Sequence, residues 1–164
     1  MQRLRLVEPP MSRFEEESNK REGAAMAEAT GEKFIGDMVG RIDPADPSSL
    51  VFSIADYQVF DDELACVTWV YGGDGKQGIV LWNLEPGQEN DYHQHPTTEH
   101  LHVIIEGTAE YTLDGGEPIT VTTGQAVMVP AGVPHGIRNR TDSRCTYMAI
   151  TSPGEYEKVL VERG

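Results

Sequence analysis

From about Leu50 onward the chain alternates between short apolar runs and turn residues. Leu50–Ile54, Cys66–Tyr71 and Ile79–Leu84 are rich in Val, Ile, Trp and Tyr, and each predicts a strand. His100–Ile105, Ala109–Leu113, Pro118–Val121, Ala126–Val129, His135–Arg138 and Thr146–Ile150 follow at short intervals. Gly72-Gly73-Asp74-Gly75 separates the second run from the third, and Asp114-Gly115-Gly116 between two alternating runs is the strongest hairpin signal. Many short strands at even spacing, with almost no helical periodicity, predict an all-β sandwich or barrel. Ser152-Pro153-Gly154-Glu155 reads as a capping box with proline at the first helical position, which predicts a short helix over 153–162.

The N-terminal part has a different texture. Residues 12–33 are charged and rich in Ala and Glu, with almost no large apolar side chains to form a buried stripe. They are expected to be flexible. Phe34, Ile35, Met38 and Val39 make one apolar patch that could dock on the body, and Asp43-Pro44 and Asp46-Pro47 then punctuate the chain. The expected division is a largely flexible N-terminal extension over 1–46, a β-barrel over 47–152 and a short C-terminal helix or tail over 153–164.

Length and charge narrow the function. With 164 residues the chain suits one compact domain. Thirteen basic residues against 27 acidic ones give a formal charge of −14, which repels phosphate backbones. Nucleic acid and membrane are therefore not expected partners. There is no apolar run of membrane-spanning length and no signal-peptide core near Met1, so a cytoplasmic location is expected. Cys66 and Cys145 form no CxxC and read as small buried residues in a reducing compartment.

The candidate chemistry lies in five histidines, at 93, 95, 100, 102 and 135, four of them within ten residues. On a strand, residues two apart share a face, so His93 and His95 can point at one site. Neutral imidazole is the commonest protein ligand for transition metals, and a third histidine from a distant strand would complete an interior site.

These residues resemble the two motifs of the cupin superfamily. Gly87, His93, His95 and Gly107 fit the first, G-x5-H-x-H-x(3 or 4)-E-x6-G. Gly124, Pro130, Gly132, His135 and Asn139 fit the second, G-x5-P-x-G-x2-H-x3-N, without a gap. The resemblance implies a double-stranded β-helix, or jelly-roll, barrel. It further implies one divalent transition metal per chain (Fe, Mn, Ni, Cu or Zn) held by His93, His95 and His135.

The family's glutamate ligand should stand seven residues before the closing glycine, and that position is His100. Either His100 is the fourth ligand, or Glu99 is, with an extra residue in the strand that follows. Pro96-Thr97-Thr98 is a turn, where an added residue costs little, whereas one added inside a strand flips every side chain before it. His100 is the favoured assignment. The same parity puts His102 and Glu106 on the inner face, with Glu99, Leu101 and Val103 outside. Four neutral imidazoles would leave the metal at +2, a stronger Lewis acid that favours anionic ligands. His102 is a candidate catalytic or supporting group, and Tyr92, Trp82, Tyr111 and Met128 are candidate pocket residues.

The chain has no Gly-x-Ser-x-Gly elbow and no Walker or Rossmann glycine loop. The expected function is that of a mononuclear non-haem metal enzyme, dioxygenase-like, acting on a small anionic or enolisable molecule. A metal-dependent isomerase, lyase or decarboxylase is the alternative, and a non-catalytic sensor of a ligand or metal is a further one. The apolar outer residues Leu101, Val103 and Ile105, with the Phe34–Val39 patch, fit a homodimer.

Overall fold

The computed structural model describes residues 32–35, 41–72, 76–154 and 157–162. Among the described residues eleven strands follow one another in this order: β1 (Glu32–Ile35), β2 (Ala65–Tyr71), β3 (Gly78–Leu84), β4 (Glu89–Gln94), β5 (His100–Glu106), β6 (Thr108–Leu113), β7 (Ile119–Thr122), β8 (Ala126–Val129), β9 (His135–Arg138), β10 (Cys145–Thr151) and β11 (Val159–Leu160). They form a six-stranded sheet in the order β1-β2-β3-β10-β5-β8 and a five-stranded sheet in the order β11-β4-β9-β6-β7. Consecutive strands often fall in opposite sheets, which is the jelly-roll arrangement. The Asp114-Gly115 turn joins β6 to β7, with both residues at positive φ and Gly116 N–H donating to Leu113 O at 2.8 Å.

Each strand shows its inner and outer face in its burial. Along β5, His100, His102 and Ile104 are buried, while Leu101, Val103 and Ile105 are half-buried on the other side. Val80, Trp82, Ile104, Tyr111, Ile137 and Tyr147 meet between the two sheets in the main core. A second cluster lies on the outer face of the larger sheet. There Tyr57, Val70 and Leu81 pack with Ile42, Phe52 and Ile54. Among the described residues no helix is long and apolar enough to cross a membrane.

The structure corrects two element assignments. Leu50–Ile54 is not a strand: short 3-10 turns at Pro47–Leu50 and Ile54–Tyr57 bracket it. Asp46 caps the first turn by accepting from Ser48 N–H, and Pro47 lacks a donor for a ladder. Phe52 and Ile54 therefore cover the sheet instead of extending it. The C-terminal helix is also absent among the described residues. Val159–Leu160 pairs antiparallel with Gln94 and His93 as β11. A helix of this length is marginal without tertiary support, whereas the open edge of β4 offers backbone partners.

The sequence pattern also missed two strands. β4 is polar throughout and carries no apolar run, and β1 adds in parallel to the edge of β2. The predicted features over residues 1–31 and at Met38 and Val39 lie outside the described residues.

Candidate metal centre

The five histidines converge inside the barrel. His93 lies on β4, His95 just beyond it, His100 and His102 on β5, and His135 at the start of β9. Each is between 1% and 3% exposed, which is unusual for a polar ring. His93 sits directly opposite His135 in the ladder, with ring centroids 4.3 Å apart. His95 packs on His100 at 4.1 Å and on His93 at 4.8 Å.

A bulge aims the first pair. Asn90 faces Ile137 and His93 faces His135, so three steps on β4 match two on β9. The extra residue shifts the alternation and brings Asn90, His93 and His95 to the same inner face. Tyr92 then falls on the face opposite to His93, and its hydroxyl accepts from Gly115 N–H at 2.6 Å. It does not line the histidine cluster, contrary to its placement as a pocket residue.

The ring hydrogen bonds define which nitrogen is presented. His93 Nδ1 donates to Asp91 O at 2.5 Å, His95 Nδ1 to Glu157 O at 2.6 Å, and His135 Nδ1 to Val133 O at 3.0 Å. A carbonyl can only accept, so each of these rings carries its proton on Nδ1 and its lone pair on Nε2. His135 Nε2 is buried with no hydrogen-bond partner among the described residues. A buried acceptor left so costs about 1–3 kcal/mol, and a metal ion would satisfy it.

Two groups of three histidines bring ligand atoms within 4.8 Å of one another: His93, His95 and His135, and His100, His102 and His135. Hydrogen bonding separates their roles. His102 has both nitrogens engaged, Nε2 with His100 Nδ1 at 3.2 Å and Nδ1 with the Tyr111 hydroxyl at 2.6 Å. His102 thus contacts His100, whose ring lies 4.1 Å from that of His95. Burial is the main reason that all five rings stay neutral. It lowers His95 to about 4 and His100 to about 3, and it pushes His93, His102 and His135 below the ordinary histidine value. Neutral imidazole is the form that binds metal. An all-nitrogen donor set with paired Nδ1 atoms fits a divalent transition metal.

The other predicted residues divide. Glu99 is exposed just before β5, outside the cluster, as alternation from His100 requires. Trp82 and Tyr111 are buried inside, Tyr111 parallel to His135 at 6.3 Å. Burial pushes the Tyr111 phenol well above its usual range, so it remains protonated. Met128 is 60% exposed on the outer face, paired with Leu101, and is not a pocket residue. Glu106 ends β5 exposed, accepting from Gln58 Nε2 at 2.8 Å, because a register shift at Thr146 breaks the alternation there. A surface groove of about 550 Å³ beside Gly87, Arg138 and Arg140 includes none of the histidines.

Sequence reasoning overlooked Lys158, Glu32 and Asn90. The Lys158 side chain is 3% exposed inside the barrel and donates to Glu32 and to Asn90 Oδ1 at 3.0 Å. No local pattern marks them, since the chain brings them together only through its two edge strands.

Fold and site together define a jelly-roll barrel whose interior histidines could hold a metal ion. Residues 80–151 match the family model described as a cupin domain, and the protein carries a small domain of that family. Two curated proteins are similar over part of their length. The polyketide synthase CurC of Streptomyces cyaneus is 31% identical over 79 residues, 48% of this chain and 49% of that protein. The dimethylsulfoniopropionate lyase DddQ of Ruegeria pomeroyi is 30% identical over 84 residues, 48% of this chain and 41% of that protein. The chain thus spans half or less of the length of these relatives. A solved Klebsiella pneumoniae protein with a double-stranded β-helix domain superposes with a TM-score of 0.64 at 25% identity, covering 68% of this chain and 96% of that one.

Proposed function

We propose that the protein is a mononuclear non-haem metal enzyme acting on a small anionic or enolisable organic molecule. His93, His95, His100 and His135 are its ligands, and His102 and Tyr111 hold His100 in place. The observation that supports this reading is the set of Nδ1 hydrogen bonds, three to backbone carbonyls and one to His102. They fix the ring orientations of histidines that form two groups sharing His135, His93–His95–His135 and His100–His102–His135, and burying so many polar rings is an expense with no purpose in an ordinary core.

A divalent metal there supplies Lewis acidity toward a bound oxygen group. Four neutral imidazoles leave its charge uncompensated, so the site favours an anion. His93, His95, His100 and His135 would hold such a metal, which would then supply Lewis acidity to a small anionic or enolisable molecule. The dioxygenase-like reaction is the version we favour. The partial likeness to a lyase supports a second reading, an elimination or isomerisation that consumes no oxygen.

One series of measurements tests both. Metal content is read in the wild type, His100→Ala and Glu99→Ala, with loss expected for His100→Ala alone. Loss confined to Glu99→Ala would overturn the four-histidine set. Oxygen uptake by the Fe(II) or Mn(II) protein is then followed over diketones, enols and phenols. Turnover without oxygen uptake would replace the dioxygenase reading with the lyase one. We further propose a homodimer formed through the outer face of β5 and β8, in a reducing compartment where the buried thiols Cys66 and Cys145 stay free.

A further inference from the structure

Lys158 is a cation in the wrong place for a plain barrel core. Its side chain is 3% exposed, and its ammonium lies 5.2 Å from the centre of the Trp82 ring. Trp82 stacks on Tyr147 at 5.9 Å, and Asn90 Nδ2 donates to the Tyr147 hydroxyl at 2.9 Å. Asn90 shares the inner face of β4 with His93, and the residue before Lys158 supplies the carbonyl that holds His95.

A buried ammonium beside a dication is repulsive unless an anion lies close by. Glu32 is the one buried carboxylate among the described residues, and it ion-pairs with Lys158. A buried ion pair of this kind adds little net stability over apolar packing, so stability alone does not account for it. Glu32 is also borne by an edge strand. Among the described residues β1 is four residues long, pairs with β2 alone and carries an exposed ion pair from Lys33 to Asp61.

We propose that Lys158 is a specificity-determining anchor for a carboxylate of the substrate, and that Glu32 occupies this anchor until the substrate enters. The inference rests on the metal-enzyme reading. One oxygen group of the ligand goes to the metal and a second, anionic group goes to Lys158, with the Trp82–Tyr147 pair as an aromatic wall. The substrate class is then a small dianion, either a dicarboxylate or a carboxylate-bearing enol.

The test uses cobalt-loaded protein titrated with succinate and with butyrate, four-carbon acids that differ by one carboxylate, followed by the visible cobalt spectrum and by calorimetry. Succinate is expected to bind more tightly than butyrate. Lys158→Met should weaken succinate about ten- to one-hundredfold, the scale of a lost charge-assisted hydrogen bond, and leave butyrate and cobalt stoichiometry unchanged. Glu32→Gln should tighten succinate, because the internal competitor is gone. Equal succinate affinity in wild type and Lys158→Met overturns the anchor. Should Lys158→Met fail to fold, Glu32→Gln decides, and unchanged or weakened succinate binding there overturns the proposal. Failure of the wild type to take up cobalt overturns the metal reading itself. Normal cobalt uptake with succinate indifferent to both variants overturns only the anchor.

Discussion

At the residue scale, the proton positions of five rings decide what the interior can do. A His100 Nε2 lone pair turned to a metal places the His100 proton on Nδ1, donated to His102 Nε2. The His102 proton then sits on Nδ1, donated to the Tyr111 oxygen. Buried neutral rings also set an acid limit. His95 and His100 are lowered by burial to about 4 and about 3, against an unfolded value near 6.5. As pH falls below about 6.5 the unfolded chain takes up protons that the folded one refuses, so folded stability declines through that window. The melting temperature of the metal-free protein should therefore be level above neutrality and fall progressively from about pH 6.5 toward 4. A melting temperature flat across that range in circular dichroism would contradict the buried, neutral rings. The histidines themselves were legible because residue type and spacing carry chemistry directly. Strand parity and the tolerance of a turn for one more residue favoured His100 over Glu99 in the sequence, and in the fold His100 is buried while Glu99 is exposed. The misplacement of Tyr92 and Met128 came from reading aromatic and sulfur side chains without knowing which face they take.

At the element scale, the strands act as rulers and their irregularities do the aiming. The β4 bulge brings Asn90, His93 and His95 to one face, and β11 fastens the far end of β4 while its neighbour Glu157 orients His95. The motif glycines serve unequal purposes. Gly107 has φ +80, and a Cβ there would meet Arg144 O at 2.2 Å, whereas at Gly132, with φ +76, a Cβ would meet nothing within 4 Å. Gly132→Ala carries only the backbone strain, about 1–2 kcal/mol. Gly107→Ala adds a collision with backbone that cannot rotate away, and it should lower the melting temperature by clearly more. Chemical denaturation of the two variants checks the order, and equal losses would show that the β5–β10 contact at Gly107 gives way freely. The glycine spacing was visible in the sequence, but the difference between the two positions was not. It depends on Arg144, which lies against Gly107 where β10 begins beside the end of β5.

At the scale of the whole molecule, burial and exposure separate the two faces of the larger sheet. The segment from Ile42 to Tyr57 covers the outer face over β2 and β3. Over β5 and β8, among the described residues, Leu101, Val103 and Ile105 are half-buried and Met128 is 60% exposed. An apolar patch of that kind suits a second copy of the chain. Sedimentation should show a dimer at micromolar concentration, and Val103→Glu should shift it to monomer without loss of the fold. A wild type that sediments as a monomer would end that proposal.

The sequence by itself determined the all-β character, the histidine set and the two motifs, since each rests on local periodicity or on fixed spacing between neighbours. Only the tertiary structure decided the rest. The C-terminal residues became a strand because β4 had an open edge, not because of their own propensity. Leu50–Ile54 became a cover because the outer sheet face needed one. Lys158 and Glu32 met across 126 positions because the two ends of the chain supply the edge strands of opposite sheets. Contacts of that length leave no trace in a local pattern, and here they bury the Lys158 side chain against Glu32 and Asn90.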